Sequence, residues 1–213
     1  MTDRRIPWRA LILLAIAAVA TFAFVAIADE MREGEIDALD TRIALAVHSL
    51  ETPVLDYVMI AFTNIGTGPA HFITVLAVSL WAIKRKRVPY VVVLVAVTVA
   101  AVVLNPLLKE AFSRARPTLF EVIRRPDTYS FPSGHAMSAM TIYGAIAAVA
   151  IALRPSARTP IVICAAILIA CIGFSRVYLG VHWPMDVLAG WAAGVPFVVV
   201  AVHILHRLQQ TNA

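Results

Sequence analysis

Ser175-Arg176-Val177-Tyr178-Leu179-Gly180-Val181-His182-Trp183-Pro184-Met185-Asp186 is a polar island between two long apolar runs, and its reading decides the fold. It puts an arginine, a histidine and an aspartate where a lipid-facing helix would carry leucine. A charged side chain at membrane depth costs roughly 3 kcal/mol or more, so such groups face a cavity, find partners and mark function. The four-residue step from His182 to Asp186 places both on one face of a helix that starts at or just before Pro184. A carboxylate beside an imidazole fixes its tautomer and stabilises its cation, which prepares the histidine as a nucleophile or base.

The apolar runs around the island account for most of the chain. With 213 residues, 61% apolar content and a mean hydropathy of +0.83, the composition excludes a soluble domain and suits several membrane crossings. One membrane domain over residues 1–213 is expected. The net charge of +5 would suit nucleic acid in a soluble protein, but no basic stripe with interleaved aromatics lies outside the apolar segments, so no nucleic-acid partner is expected. Cys164 and Cys171 have no second cysteine or histidine at ligand spacing and read as small packing residues.

Taken in order, Arg4, Arg5, Trp8 and Arg9 precede an apolar run from Ala10 to Ala28, an inner-face anchor and a first span. Ala26-Ile27-Ala28 resembles a signal cleavage site, but the run exceeds the ~7–15 residues of a signal core, so a retained helix is expected. Asp29 to Pro53 is acidic, with Ile36, Leu39, Ile43, Val47 and Leu50 at helical spacing, and predicts an amphipathic helix on the membrane surface. Val54 to Ile65 is too short to cross alone and is interrupted by Gly66-Thr67-Gly68-Pro69, so it predicts a re-entrant prelude to a second span ending near Ile83. The third span runs from Val88 to about Leu108, with Asn105-Pro106 as a helix-end break, and the fourth from Ser133 to Leu153. Pro160 opens the fifth, and the sixth runs from about Trp183 to Leu205. The expectation is an all-α polytopic membrane protein of six transmembrane helices plus a short interfacial helix, with both termini cytoplasmic.

Charge supports that topology. The predicted inner segments hold Arg4, Arg5, Arg9, Lys84, Arg85, Lys86, Arg87, Arg154, Arg158 and Arg207 against one acid, Asp3, as the positive-inside rule requires. Lys109, Arg114, Arg116, Arg124, Arg125 and Arg176 fall on the outer side instead, and anion binding is the simplest reason to keep them there. For Arg124 and Arg125, a diphosphate or headgroup and attraction to anionic lipid serve equally well.

Three polar clusters lie at the outer ends of spans three to six: Lys109 with Arg116-Pro117, then Pro132-Ser133-Gly134-His135, then Arg176 with His182 and Asp186. Alternating span direction brings all three to one membrane face. Three cations suit the equatorial oxygens of a phosphoryl group, whose transfer depends on positioning and charge stabilisation. Ser133 and Gly134 open a helix whose free N–H groups form an anion site. Two histidines then invite two roles, with His182, backed by Asp186, attacking phosphorus and His135 protonating the leaving oxygen. The scheme needs neither metal nor other cofactor, and no H-E-x-x-H or clustered aspartate set is present.

Lys109-x6-Arg116-Pro117, Pro132-Ser133-Gly134-His135 and Ser175-Arg176-x5-His182-x3-Asp186 together resemble the three-part signature of the type 2 phosphatidic acid phosphatase superfamily. The motifs lie within residues 109–186. The resemblance implies a six-helix membrane phosphatase working through a phosphohistidine on His182. It also implies that Lys109, Arg116, Ser133, Gly134 and Arg176 bind phosphate, that His135 is the acid and that Asp186 supports His182. Six apolar spans argue against the soluble vanadium haloperoxidases of the same superfamily.

For a lone arginine or histidine at a span end, snorkelling to the interface is the ordinary explanation, but it does not account for three clusters in order. His48, His71, His203 and His206 have no such company and read as surface or interface residues, and Gly190, Gly194 and Pro196 as packing or kink positions. The expected protein is a multi-pass membrane lipid phosphatase with its site on the extracytoplasmic face. Its substrate would be a lipid phosphomonoester or terminal diphosphate: phosphatidate, phosphatidylglycerophosphate, diacylglycerol diphosphate or undecaprenyl diphosphate. A lipid phosphotransferase and a non-catalytic phospholipid-binding or transport bundle are the alternatives.

Overall fold

Proline sits in the first turn of five of the helices, at Pro53, Pro69, Pro89, Pro160 and Pro184, where its missing N–H costs nothing. The computed structural model describes residues 8–122 and 126–211. Arg4, Arg5, Arg124 and Arg125 therefore lie outside the described residues. The regular structure described is helical: α1 (Trp8–Glu33), α2 (Asp37–His48), α3 (Pro53–Ile65), α4 (Gly68–Lys84), α5 (Val88–Phe112), α6 (Gly134–Leu153), α7 (Arg158–Tyr178) and α8 (Pro184–Thr211), with a 3-10 turn at Pro155–Ala157. The helices α1, α5, α6 and α8, together with α7 and its 3-10 turn, form five segments long and apolar enough to cross a membrane. The pair α3 and α4, bent by 57° at their break, supplies a sixth crossing if counted as one span. The re-entrant prelude expected before the second span corresponds to α3, a 13-residue helix set at that angle to α4.

The bundle is built around α6, which packs against α5, α7 and α8. Lipid offers no hydrophobic drive between helices, so close approach comes from small residues. The α6 sequence supplies them, and Ala136, Ala139 and Ala145 are fully buried. A side chain at Gly194 of α8 would sit 2.7 Å from Cβ of Met140, so the two backbones meet there with nothing between. α1 packs along α8 and against the segment that leads into α6, where Phe24, Phe112 and Phe131 form an aromatic cluster with centroids 5.0–5.8 Å apart.

Several expectations need correction. The third span does not end at Asn105-Pro106; α5 continues to Phe112 with Pro106 inside it, and Asn105 is buried. Of the expected apolar stripe, Leu39 and Ile43 on α2 and Leu50 just beyond it are exposed, as suits a lipid-facing side. The packed stripe is Ile36, Asp40, Ala44 and Val47, because Asp40 finds charged and backbone partners below the helix. His71 is buried against Tyr143 rather than on the surface, and Cys164 is exposed on α7 rather than packed.

Candidate active site

The C-terminal ends of α5 and α7 and the N-terminal ends of α6 and α8 lie together, joined by the loop 113–133 and the turn 179–183. Ser133 caps α6, its hydroxyl accepting from the Ala136 N–H at 3.5 Å while its own N–H donates to the Asp186 carbonyl at 2.9 Å. Gly134 follows, and a Cβ there would lie 2.8 Å from Oδ1 of Asn105. Asn105 in turn donates to the Pro132 carbonyl at 3.4 Å, tying the entrance of α6 to α5. Gly190 lets α8 reach the same turn, since a Cβ there would stand 2.7 Å from the Ser133 carbonyl.

His182 lies in the turn before α8, not on its face as the four-residue spacing implied. The chain returns because the N–H groups of Val181 and His182 donate to the Arg176 carbonyl at 3.2 and 3.3 Å. Gly180 makes this possible at φ +65°, a left-handed conformation that side chains disfavour, beneath the ring of Phe120. His182 is buried, with Nδ1 3.3 Å from Oδ2 of Asp186 and Nε2 3.2 Å from Nη1 of Arg116. A guanidinium only donates, so Nε2 carries the lone pair and Nδ1 the proton. Burial holds the imidazole pKa down to about 3, against the hydrogen bond and charge of Asp186, so the ring is neutral at physiological pH.

Asp186 is fully buried and has more partners than the sequence suggested. It accepts from the Trp183 N–H at 2.9 Å, reaching back over the helix start as a capping residue does, and from the Ser130 hydroxyl. Its Oδ1 accepts from Nη1 of Arg114 at 2.9 Å. Nη2 of Arg114 reaches Oδ2 of Asp40 at 2.7 Å and Oδ1 of Asp37 at 3.2 Å. Arg114 therefore belongs to an ion-pair network and not to the anion-binding set in which the sequence placed it. Burial works to lower its pKa, but the charges of Asp186 and Asp40 outweigh this and raise it. For Asp40 burial dominates and raises the pKa, against the Met185 N–H and Arg114.

The remaining expected residues come together around His182. Arg116 donates to the Thr128 carbonyl at 2.7 Å and the Val181 carbonyl at 2.6 Å, pinning the loop to the turn. Lys109 is buried and donates to the carbonyls of Tyr129 and Ser130. Arg176 donates to the Thr63 hydroxyl, and its Nε has no hydrogen-bond partner among the described residues. His135, on the first turn of α6, lies near the guanidinium groups of Arg176 and Arg116. Its ring approaches Gly66, where a Cβ would lie 3.0 Å from Cδ2. Sequence reasoning missed Asp40, Ser130, Asn105, Thr63 and Gly66. An aspartate in the stripe Ile36-x3-Asp40-x3-Ala44 was the one legible signal among them.

The family model of the PAP2 superfamily matches residues 89–210. The chain is 29% identical over 177 residues to phosphatidylglycerophosphatase B of Bacillus subtilis, covering 81% of this chain and 86% of that protein. It is 36% identical over 111 residues to undecaprenyl-diphosphatase of Sulfolobus acidocaldarius, covering 50% of each. Among solved structures, it is similar to the crystal structure of a transmembrane PAP2 type phosphatidylglycerolphosphate phosphatase from Bacillus subtilis. The TM-score is 0.82 at 26% identity, covering 92% of this chain and 96% of that one.

Proposed function

The chain belongs to the PAP2 superfamily, and from that premise we propose that it is a membrane lipid phosphatase acting through a phosphohistidine on His182. The observation that carries the reading is the state of His182: a neutral imidazole whose Nδ1–H is held by Asp186 and whose Nε2 lone pair faces the guanidinium of Arg116. A phosphoryl group entering at Arg116 would meet that lone pair directly.

In the first step Nε2 attacks phosphorus and the bond to the leaving oxygen breaks. The imidazole becomes a cation as it forms the P–N bond, with its Nδ1–H against Asp186. Arg116, Arg176, Lys109, the Ser133 hydroxyl and the Gly134 N–H at the start of α6 supply donors to the equatorial oxygens. His135, entering as its cation, protonates the leaving oxygen and then, as a base, takes a proton from the water that attacks phosphorus and frees His182. The site lies on the extracytoplasmic face in this reading, supported by Lys84 to Arg87, Arg154, Arg158 and Arg207 at the opposite ends of the helices.

The substrate is a lipid phosphomonoester or terminal diphosphate whose chains stay in the bilayer. The test is phosphate release by the purified protein from phosphatidate, phosphatidylglycerophosphate, diacylglycerol diphosphate and undecaprenyl diphosphate, with rapid-quench trapping of an acid-labile phosphoenzyme. Release from at least one lipid and loss of the phosphoenzyme in His182→Ala are expected. Binding without release overturns the reading in favour of a lipid-binding bundle, and a phosphoenzyme undiminished in His182→Ala overturns the nucleophile. A single cysteine at Thr118 should react with an impermeant reagent in intact cells; reaction only after lysis overturns the sidedness.

A further inference from the structure

The buried charges behind His182 do not balance in pairs. Arg114 stands between two fully buried carboxylates, with Nη1 2.9 Å from Asp186 and Nη2 2.7 Å from Asp40. One guanidinium against two carboxylates leaves this trio a net charge of about −1, and both carboxylates are fully buried, where charges act with little screening. Without Asp40 the guanidinium and Asp186 would cancel, and the imidazolium formed when His182 attacks would face a neutral pair. Asp37 cannot substitute, since its side chain is 68% exposed and its contact with Arg114, at 3.2 Å, is solvated.

We infer that Asp40 is a positioning residue for phosphoryl transfer: by taking up the charge of Arg114, it leaves Asp186 a negative charge to give to His182. The inference rests on the proposed lipid-phosphatase reading. Asp40 also has a plain structural task, because its Oδ1 accepts from the N–H of Met185, one of the free donors of the first turn of α8. The two tasks separate chemically. An asparagine retains a carbonyl oxygen for Met185, while its NH2 group replaces the charged oxygen that accepts from Arg114.

The consequence reaches outside the catalytic motifs. Asp40 lies on α2, which also carries the exposed Leu39 and Ile43. The charge that tunes the nucleophile is thus held by the helix that rests on the lipid surface.

The test compares Asp40→Asn, Asp37→Asn and wild type as full-length protein in nanodiscs, reading two quantities. The first is kcat and KM for a lipid phosphate the wild type hydrolyses. The second is the ¹⁵N signals of the His182 ring, assigned by their loss in His182→Gln. Asp40→Asn should lower kcat about tenfold for each pKa unit by which the imidazolium is destabilised. KM should be unchanged, and the Nδ1 signal should move as its bond to Asp186 weakens. Asp37→Asn should stay within about twofold of wild type, as expected for a screened contact. Wild-type kcat and unmoved signals in Asp40→Asn overturn the inference, whatever happens to its thermal midpoint. Should Asp40→Asn fail to fold, Asp40→Ser serves: its hydroxyl oxygen can accept from the Met185 N–H and it carries no charge. It should show the same loss of kcat, and wild-type kcat there overturns the inference. A wild type that hydrolyses no lipid while its His182 signals move in Asp40→Asn would sink the phosphatase reading and leave the coupling standing.

Discussion

Acidifying the protein should expose how much folding free energy is held in keeping His182 neutral. An unfolded chain presents a histidine of ordinary pKa, 6.5, whereas burial holds that of His182 down to about 3. A depressed folded pKa means that the native state refuses a proton the unfolded state accepts. The stability is therefore fully present above pH 6.5 and is lost as pH falls from there toward 3. Integrating the difference, a fall from about pH 8 to about pH 5 should cost ~2 kcal/mol through this one group. The group is only 3% exposed, so solvent does not discount the figure. At about 2–4 °C per kcal/mol for a domain of this size, the thermal midpoint should drop ~4–8 °C more in the wild type than in His182→Gln, which has no proton to take up. The assay is thermal unfolding of both proteins in one detergent across that range, followed by tryptophan fluorescence. Parallel decline of the two midpoints would refute the reasoning, because every other titrating group is shared.

Gly180→Ala should lower the thermal midpoint and the turnover together. Its left-handed φ disfavours a Cβ by ~1 kcal/mol, and the added carbon would strike the Phe120 ring; a differential scan against wild type checks this. Gly66→Ala should push His135 aside, since the new carbon would lie 3.0 Å from its ring and 2.7 Å from Ile172. Hydrolysis of a lipid phosphate should then fall further than that of p-nitrophenyl phosphate, whose leaving group needs no proton, and the ratio of the two rates is the measurement. Asn105→Leu should cost about 1–3 kcal/mol by leaving the buried Pro132 carbonyl unpaired, read as a lower midpoint in denaturant or heat, with a higher KM as the entrance of α6 loosens.

The candidate site residues share a property in the sequence: each interrupts an apolar run or sits at its end. His182, Asp186, Arg176, His135 and Lys109 stand out because lipid tolerates nothing polar without cause. Asp40 is as buried as any of them, but its charge is hidden among the acids of the segment 29–53, and its partners Arg114 and Met185 are remote in sequence. Arg114 was read as an anion-binding cation and instead pairs with carboxylates, because position reveals that a cation needs an anion but not whether a carboxylate already serves. Asn105 was taken for a break since it precedes proline. In a helix surrounded by other helices, neighbours satisfy the freed groups and α5 runs on. On α2 the apolar period was legible, but not which side met protein, because a lipid surface and a protein core ask for the same residues.

The close seating of α8 on α6 at Gly190 and Gly194 bears on where such a protein can work. His182 precedes α8 and Ser133 caps α6, so their separation is fixed by how far one helix stands along the other. One residue of axial slip is ~1.5 Å, enough to carry a nucleophile out of line with phosphorus. Bilayers thinner or thicker than a bundle's apolar length tilt and displace its helices. The thickness of the host membrane thus enters the reaction rate through the register of two helices, and the glycine seam is what opposes it.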